Sequence, residues 1–235
     1  MIDQIKAEAR RQLAEQGPGA VSLRAIAREL GTASSALFRY FPSHNDLITA
    51  LVVDTYDSLA DAVAAAADTG PATADTGDAA GHAGRWLALC QAYRHWALAD
   101  PGAFALIHGT PLPGYQAPAE ITGPPAGRSL RVALDVYTAA VHAGAADPGR
   151  SQVPGDLSAG PLLARLLPDQ EPHHEARLAA IVLNARSGIM GYLMTEIFGS
   201  LPDLVTDTGT LYHAHVRGGM LAMGYQPKLV EGLAT

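Results

Sequence analysis

The nine histidines and the single cysteine are the residues from which metal or redox chemistry would have to come. His173-His174-Glu175 and His213-x-His215 are the dense histidine groups. On a helix, side chains one or two positions apart do not share a face, so neither group has the spacing of a chelate, and no metal site is expected. Cys90 is alone, which excludes an intrachain disulfide or a multi-cysteine zinc site and fits a reducing compartment. The chain holds no phosphate-cradling glycine loop, no nucleophile elbow and no HExxH sequence. The expectation is a non-enzyme without cofactors, whose chemistry is noncovalent binding.

Binding groups of one kind gather in the second part of the chain. Trp86, Cys90, Tyr93, Trp96, Phe104, Ile107 and His108, joined by Tyr137, Met190, Met194 and Phe198, concentrate its large polarizable side chains. Such residues line apolar cavities between helices, where His95, His108, His142 and Tyr115 would serve as polar anchors. They would equally fill a packed core. The group is read as a small-molecule site, with the polarity of the ligand open.

The elements that must position these residues are helical, since no stretch shows the sustained alternation of a strand. Ile2, Ile5, Ala9 and Leu13 form one apolar stripe that stops at Gly17-Pro18. Ser22 stands as an N-cap before Leu23, Ile26, Ala27 and Leu30, and Gly31 ends that second helix after about two turns. A third segment follows over about 33–40, then a long helix over about 45–67 opened by Pro42-Ser43. Residues 68–84 have the small, Gly-rich composition of a connection. A helix over about 85–99, a new start at Asp100-Pro101, a loop over 109–120 and a helix through Leu130, Ala133, Leu134, Tyr137 and Val141 come next. After a second connection over 144–161, two long helices are expected, roughly 173–199 and 203–223. Their small residues, Ala185, Gly188, Gly191, Gly218 and Gly219, permit close helix approach.

Composition limits the classes. The chain has 235 residues, 48% apolar and 17% charged, which excludes overall disorder. Its net charge of -7 argues against a protein that coats nucleic acid. Residues 1–47 nevertheless hold six bases against five acids, while the rest holds ten against eighteen, so any anion-binding surface lies at the N-terminus. No uninterrupted apolar run reaches bilayer-crossing length and the N-terminus lacks a signal-peptide core; a cytoplasmic protein with no membrane partner is expected. Fourteen arginines against two lysines, with abundant alanine, suit a GC-rich bacterial genome.

Two short helices joined by a glycine turn are the geometry in which the second enters a DNA major groove. The sequence VSLRAIARELGTASSALFRYFPSHNDLITAL, residues 21–51, closely resembles the DNA-binding signature of the TetR family of bacterial transcriptional regulators, through Ile26-Ala27, Leu30-Gly31, Leu37, Tyr40-Phe41 and Leu47. Downstream, Tyr93, Trp96, Pro101, the run His108–Tyr115 and the run Ala185–Pro202 resemble a TetR branch with a WHG-type C-terminal domain. The resemblance implies an all-α chain with a three-helix DNA-binding head, residues 1–47, on a helical ligand-binding and dimerisation domain, residues 48–235. The partners it implies are a double-stranded pseudo-palindromic operator, a small-molecule effector of unknown identity, and a second copy joined through the two C-terminal helices. The function it implies is that of a repressor released by its effector.

By the same resemblance Ser34 and Ser35 open the recognition helix, Ala36 and Phe38 lie one turn on, and Arg24, Tyr40 and His44 fall at contact positions. Ser22, Thr32 and Arg39 complete the candidate DNA-binding set. An exposed Arg24 would fork to guanine or to phosphate. Ala33 replaces a capping Ser, with Thr32 one residue early as the substitute. Phe38 replaces a Tyr, and His44 replaces a Lys, making that charge depend on pH near neutrality. Two other readings remain. One is a regulator controlled by a protein partner or by redox at Cys90. The other is a helical small-molecule-binding protein or enzyme whose head has decayed.

Overall fold

The structure is a computed structural model, and it describes residues 1–69, 79–153, 160–166 and 172–233. The elements among them are helical: α1 (Ile2–Gln16), α2 (Leu23–Glu29), α3 (Ser34–Leu37), α4 (His44–Thr69), α5 (Ala79–Ala99), α6 (Pro101–His108), α7 (Ala119–His142), α8 (Pro161–Leu166), α9 (Pro172–Ile197), α10 (Leu201–Leu204), α11 (Thr208–Ala222) and α12 (Pro227–Glu231). Two 3₁₀ turns, Pro18–Ala20 and Pro148–Arg150, complete the set.

Several boundaries differ from expectation. Helix α5 starts at Ala79, so the end of the expected 68–84 connection is helical; Ala83 is fully buried there, and that packing outweighs the weak propensity of Gly81 and Gly84. Residues 70–78 of that connection lie outside the described residues. Helix α7 runs through Pro124 and Pro125, where a breaker would be read, with Thr122 Oγ1 donating to Pro118 O at 3.0 Å in its first turn. The last expected helix is divided: α10 ends at Leu204, and α11 starts afresh at an N-cap Asp207 that accepts from Thr210 N at 2.8 Å. Neither α8 nor α12 was foreseen. Within α9, Ala176–Ile197 is long and apolar enough to cross a bilayer by length and composition, which corrects the expectation that no segment is. Its apolar side chains Leu178, Ile181, Val182, Ile189 and Leu193 are buried in protein core.

The described chain divides into two compact units. The first comprises Met1–Leu59 and Ala97–Ala126. Ile5, Ala9 and Leu13 of α1, Leu23, Ile26 and Ala27 of α2, Leu37 of α3, and Leu47, Ile48 and Leu51 of α4 form its buried core. Lys6 and Arg10 of α1 both pair with Asp54 of α4. Helix α6 lies so close to α1 that a Cβ on Gly102 would stand 3.1 Å from the Ala14 backbone.

The second unit comprises Ala60–Trp96 and Gly127–Thr235. Trp86 of α5, Tyr137 of α7 and Tyr225 stack at ring separations of 5.9–6.4 Å. The Tyr137 hydroxyl donates to Met223 O at 2.6 Å, and the Tyr212 hydroxyl donates to Cys90 O at 2.7 Å. Inside this core Arg94 of α5 grips Glu196 of α9, with Nε at 2.9 Å from Oε2 and Nη2 at 2.6 Å from Oε1. Burial works against the charged form of Glu196, yet the hydrogen bonds from Arg94 and Thr208 outweigh it and hold the carboxyl below its ordinary range.

Candidate nucleic-acid interface

The turn between α2 and α3 is built by local rules. The Ser22 hydroxyl caps α2 by accepting from Ala25 N, and Ser22 N donates to the buried Gln12 at 3.0 Å. At the other end, Thr32 N donates to Ala27 O at 2.9 Å and Gly31 N to Arg28 O at 3.2 Å. This closed helix end requires a left-handed residue after the cap, and Gly31 supplies it at φ +61°. The chain is thereby turned into α3 after four residues.

Helix α3 is shorter than the expected 33–40. Its regular part is Ser34–Leu37, followed by a turn over 38–40. Ala33 is its N-cap with no side-chain hydrogen bond, so Thr32 does not take over the capping role expected of it. What orients this segment is packing: Leu37 is fully buried and Phe41 nearly so. Around these two, Ser35, Phe38, Arg39 and Tyr40 are exposed, and Ser34 and Ala36 are half-buried. Phe38 and Tyr40 are 46% and 44% exposed, large apolar surface left on a small head.

The basic residues of the head separate into two groups. Lys6, Arg10 and Arg11 are committed, the first two to Asp54 and the third to Glu8 and Glu15. Arg24, Arg28 and Arg39 are exposed and form no ion pair among the described residues. Glu29 is the one acid between Val21 and Phe41, so α2, α3 and their turn present unpaired positive charge. Arg28 was absent from the expected set; it stood with Arg24 in the charge count of residues 1–47, but the family resemblance singled out Arg24 alone. His44 is exposed, and its Nε2 donates to Val21 O at 2.9 Å, clamping the start of α4 to the start of α2. Nδ1 is left to face outward chemistry, and it can donate only when the ring is protonated.

The residues expected at a small-molecule site are distributed over both units. Trp86, Cys90, Tyr93 and Tyr137 are buried in the second, with Trp96, Met190 and Met194 half-buried. Phe104, Ile107 and His108 belong to the first, where Ile107 packs on the head core and the Phe104 and His108 rings lie 5.0 Å apart. The cavity bordering Trp86 has about 20 Å³, room for one water. The side chains of His173, His174 and Glu175 lie outside the described residues, whereas His213 is buried and His215 exposed, facing apart as the i, i+2 spacing dictates. Cys90 is fully buried, and burial pushes its thiol far above the ordinary range. The thiolate is the reactive form, so a thiol-directed disulfide reagent should label the folded chain no faster than it unfolds; rapid labelling at neutral pH would restore redox control.

A capped helix carrying Arg24 and Arg28, a closed glycine turn and a second short helix that exposes Ser35 and is followed by Arg39 define a helix-turn-helix DNA-binding protein. The chain belongs to the tetR family of bacterial regulatory proteins: residues 5–51 match that family's N-terminal profile, and residues 86–218 match the tetracyclin repressor-like C-terminal domain. It is 33% identical over 212 residues to the HTH-type transcriptional regulators Mb1846 of Mycobacterium bovis and Rv1816 of Mycobacterium tuberculosis, covering 88% of this chain and 86% of each relative. Among solved structures it resembles the putative regulatory protein SCO4313, with a TM-score of 0.67 and 32% identity over 93% of this chain and 94% of the other. A Rhodococcus sp. RHA1 protein shares the fold at a TM-score of 0.65. This is a family of transcriptional regulators rather than enzymes, and the enzyme reading falls.

Proposed function

We propose that the chain is a repressor that binds a pseudo-palindromic operator as a homodimer and is released by a small molecule. The observation that carries the DNA part is the division of the head's basic residues, with Arg24, Arg28 and Arg39 left unpaired beside Ser34 and Ser35. In this reading residues 1–47 are the DNA-binding domain and 48–235 the ligand-binding and dimerisation domain. Ser35, Ala36, Phe38 and Tyr40 meet the groove and its edge, Arg24 and Arg39 meet base or phosphate, and Ser22 and Thr32 hold the helix ends near the backbone. Arg24→Ala should weaken operator binding roughly 10- to 100-fold and reduce the salt slope by about one, as loss of one charged contact requires. An affinity unchanged in fluorescence anisotropy would remove Arg24 from the interface.

His44 offers a phosphate contact through Nδ1. Its replacement in His44→Lys carries a permanent charge, so the variant should bind the operator more tightly than wild type at pH 8. Equal affinities at pH 8 would place His44 outside the interface.

The dimer is formed by α9 and α11. Gly191 and Gly218 are exposed, and a Cβ on either would meet nothing within 4 Å of its own protomer. Smooth helix faces of this kind suit a four-helix bundle, two helices from each copy. The WHG-type branch belongs to the same reading and is supported by the runs His108–Tyr115 and Ala185–Pro202. Effector binding is assigned to those members of the expected set that share the second unit, Trp86, Cys90, Tyr93, Trp96, Tyr137, Met190 and Met194. A hydrophobic compound panel tests it: a true effector changes both tryptophan fluorescence and operator affinity, and a panel that changes neither defeats the assignment.

A further inference from the structure

A second cavity, of about 180 Å³, lies within the second unit between α5 and α11 and is lined by Gln91, Arg94, His95, Gly209, Tyr212 and His213. Of these only His95 was expected at the small-molecule site, as a polar anchor; none belongs to its aromatic set. The cavity's size is that of a one-ring molecule, since an apolar cavity of roughly 150 Å³ accepts benzene.

Its unused bonding capacity comprises a donor-only group, Arg94, and three side chains, Gln91, His95 and His213, that can donate to an anion. Arg94 commits Nε and Nη2 to Glu196 and Thr208, while Nη1 has no partner among the described residues. That edge of the guanidinium borders Gly209, where a Cβ would stand 3.6 Å from Nη1. The His213 side chain is 7% exposed, and its Nε2 is buried with no hydrogen-bond partner. Such an atom is rare in folded proteins and calls for a ligand group to complete it. Gln91 adds an amide and His95 a second ring nitrogen. The nearby carboxylates are already satisfied: both Glu196 oxygens accept from Arg94, and both Asp207 oxygens accept from Thr210. Gly209 also sits in the first turn of the 15-residue α11, whose dipole favours negative charge. The Tyr212 ring, 5.5 Å from the guanidinium carbon, supplies an apolar wall.

The geometry points to a binding site for a small monocarboxylic acid carrying one ring, its carboxylate held by Arg94 Nη1, His213 and the Gln91 amide and its ring against Tyr212. It goes beyond the release of DNA and does not depend on it. The test is calorimetric titration of the full chain with three probes of one size, benzoate, benzamide and benzylamine. Benzoate should bind saturably and roughly tenfold or more tighter than benzamide, as an ionic hydrogen bond demands, and benzylamine should not saturate. Gln91→Leu and His213→Phe should each weaken benzoate by a similar factor. Gln91 is half-buried at the cavity edge, so Gln91→Leu keeps the test open if His213→Phe fails to fold. No saturable benzoate binding, benzamide binding as tightly as benzoate, or unchanged affinity in Gln91→Leu would overturn the site.

Discussion

Arg94→Met should destabilise the folded chain by about 3–5 kcal/mol, the cost of leaving a buried charge without its partner. The Glu196 side chain is 4% exposed, and Arg94 donates three hydrogen bonds to it. Removing the guanidinium leaves only Thr208 to satisfy the carboxylate. Arg94→Met/Glu196→Leu should recover most of the loss, because no unpaired charge then remains; urea denaturation of both variants tests this. The pH dependence has a fixed sign. The folded value of Glu196 lies below its ordinary 4.5, so its contribution is fully present above the unfolded value and fades as pH falls through the folded one. Acid unfolding should therefore be shallower in the double variant than in wild type. A double variant as unstable as Arg94→Met would mean that packing, rather than charge, governs this core.

Gly218→Arg should leave the protomer folded and abolish dimers. No atom lies within 4 Å of the added Cβ, and glycine inside a helix is itself unfavourable by about 0.5–1 kcal/mol, so the protomer gains slightly. A close approach of α11 to its copy has no room for an arginine. Two recognition helices span successive major grooves only when linked about 34–36 Å apart, and a lone head loses the second half-site's effective concentration. Operator affinity should fall roughly 10²- to 10⁴-fold. Sedimentation gives the oligomeric state and circular dichroism the fold. A dimeric Gly218→Arg would move the interface away from α11.

What the sequence discloses depends on how local the governing interaction is. Ser22, Gly31 and the Leu37–Phe41 pair act within a few residues, so α2, its turn and the start of α3 could be read directly. The early start of α5 could not, because Ala83 is drawn into helix by burial against residues distant in sequence. Nor could the sequence show that Arg10 is paired, since its partner Asp54 lies 44 residues away. The Arg94–Glu196 pair spans 102 positions and has no sequence signature. Thr32 failed as a cap for a different reason: Ala33 takes the capping conformation, and buried Leu37 fixes the helix without side-chain help.

Sequence-specific DNA binding by the α2–α3 head is the property on which the proposed regulation depends. Selection of genomic fragments by the purified full chain at two salt concentrations, with sequencing of those retained, measures it. A pseudo-palindrome that persists at the higher salt, and that Arg24→Ala fails to retain, is the predicted result, because base contacts survive where phosphate attraction is screened. Failure of the folded, dimeric protein to enrich any site, with and without candidate effectors, would contradict it.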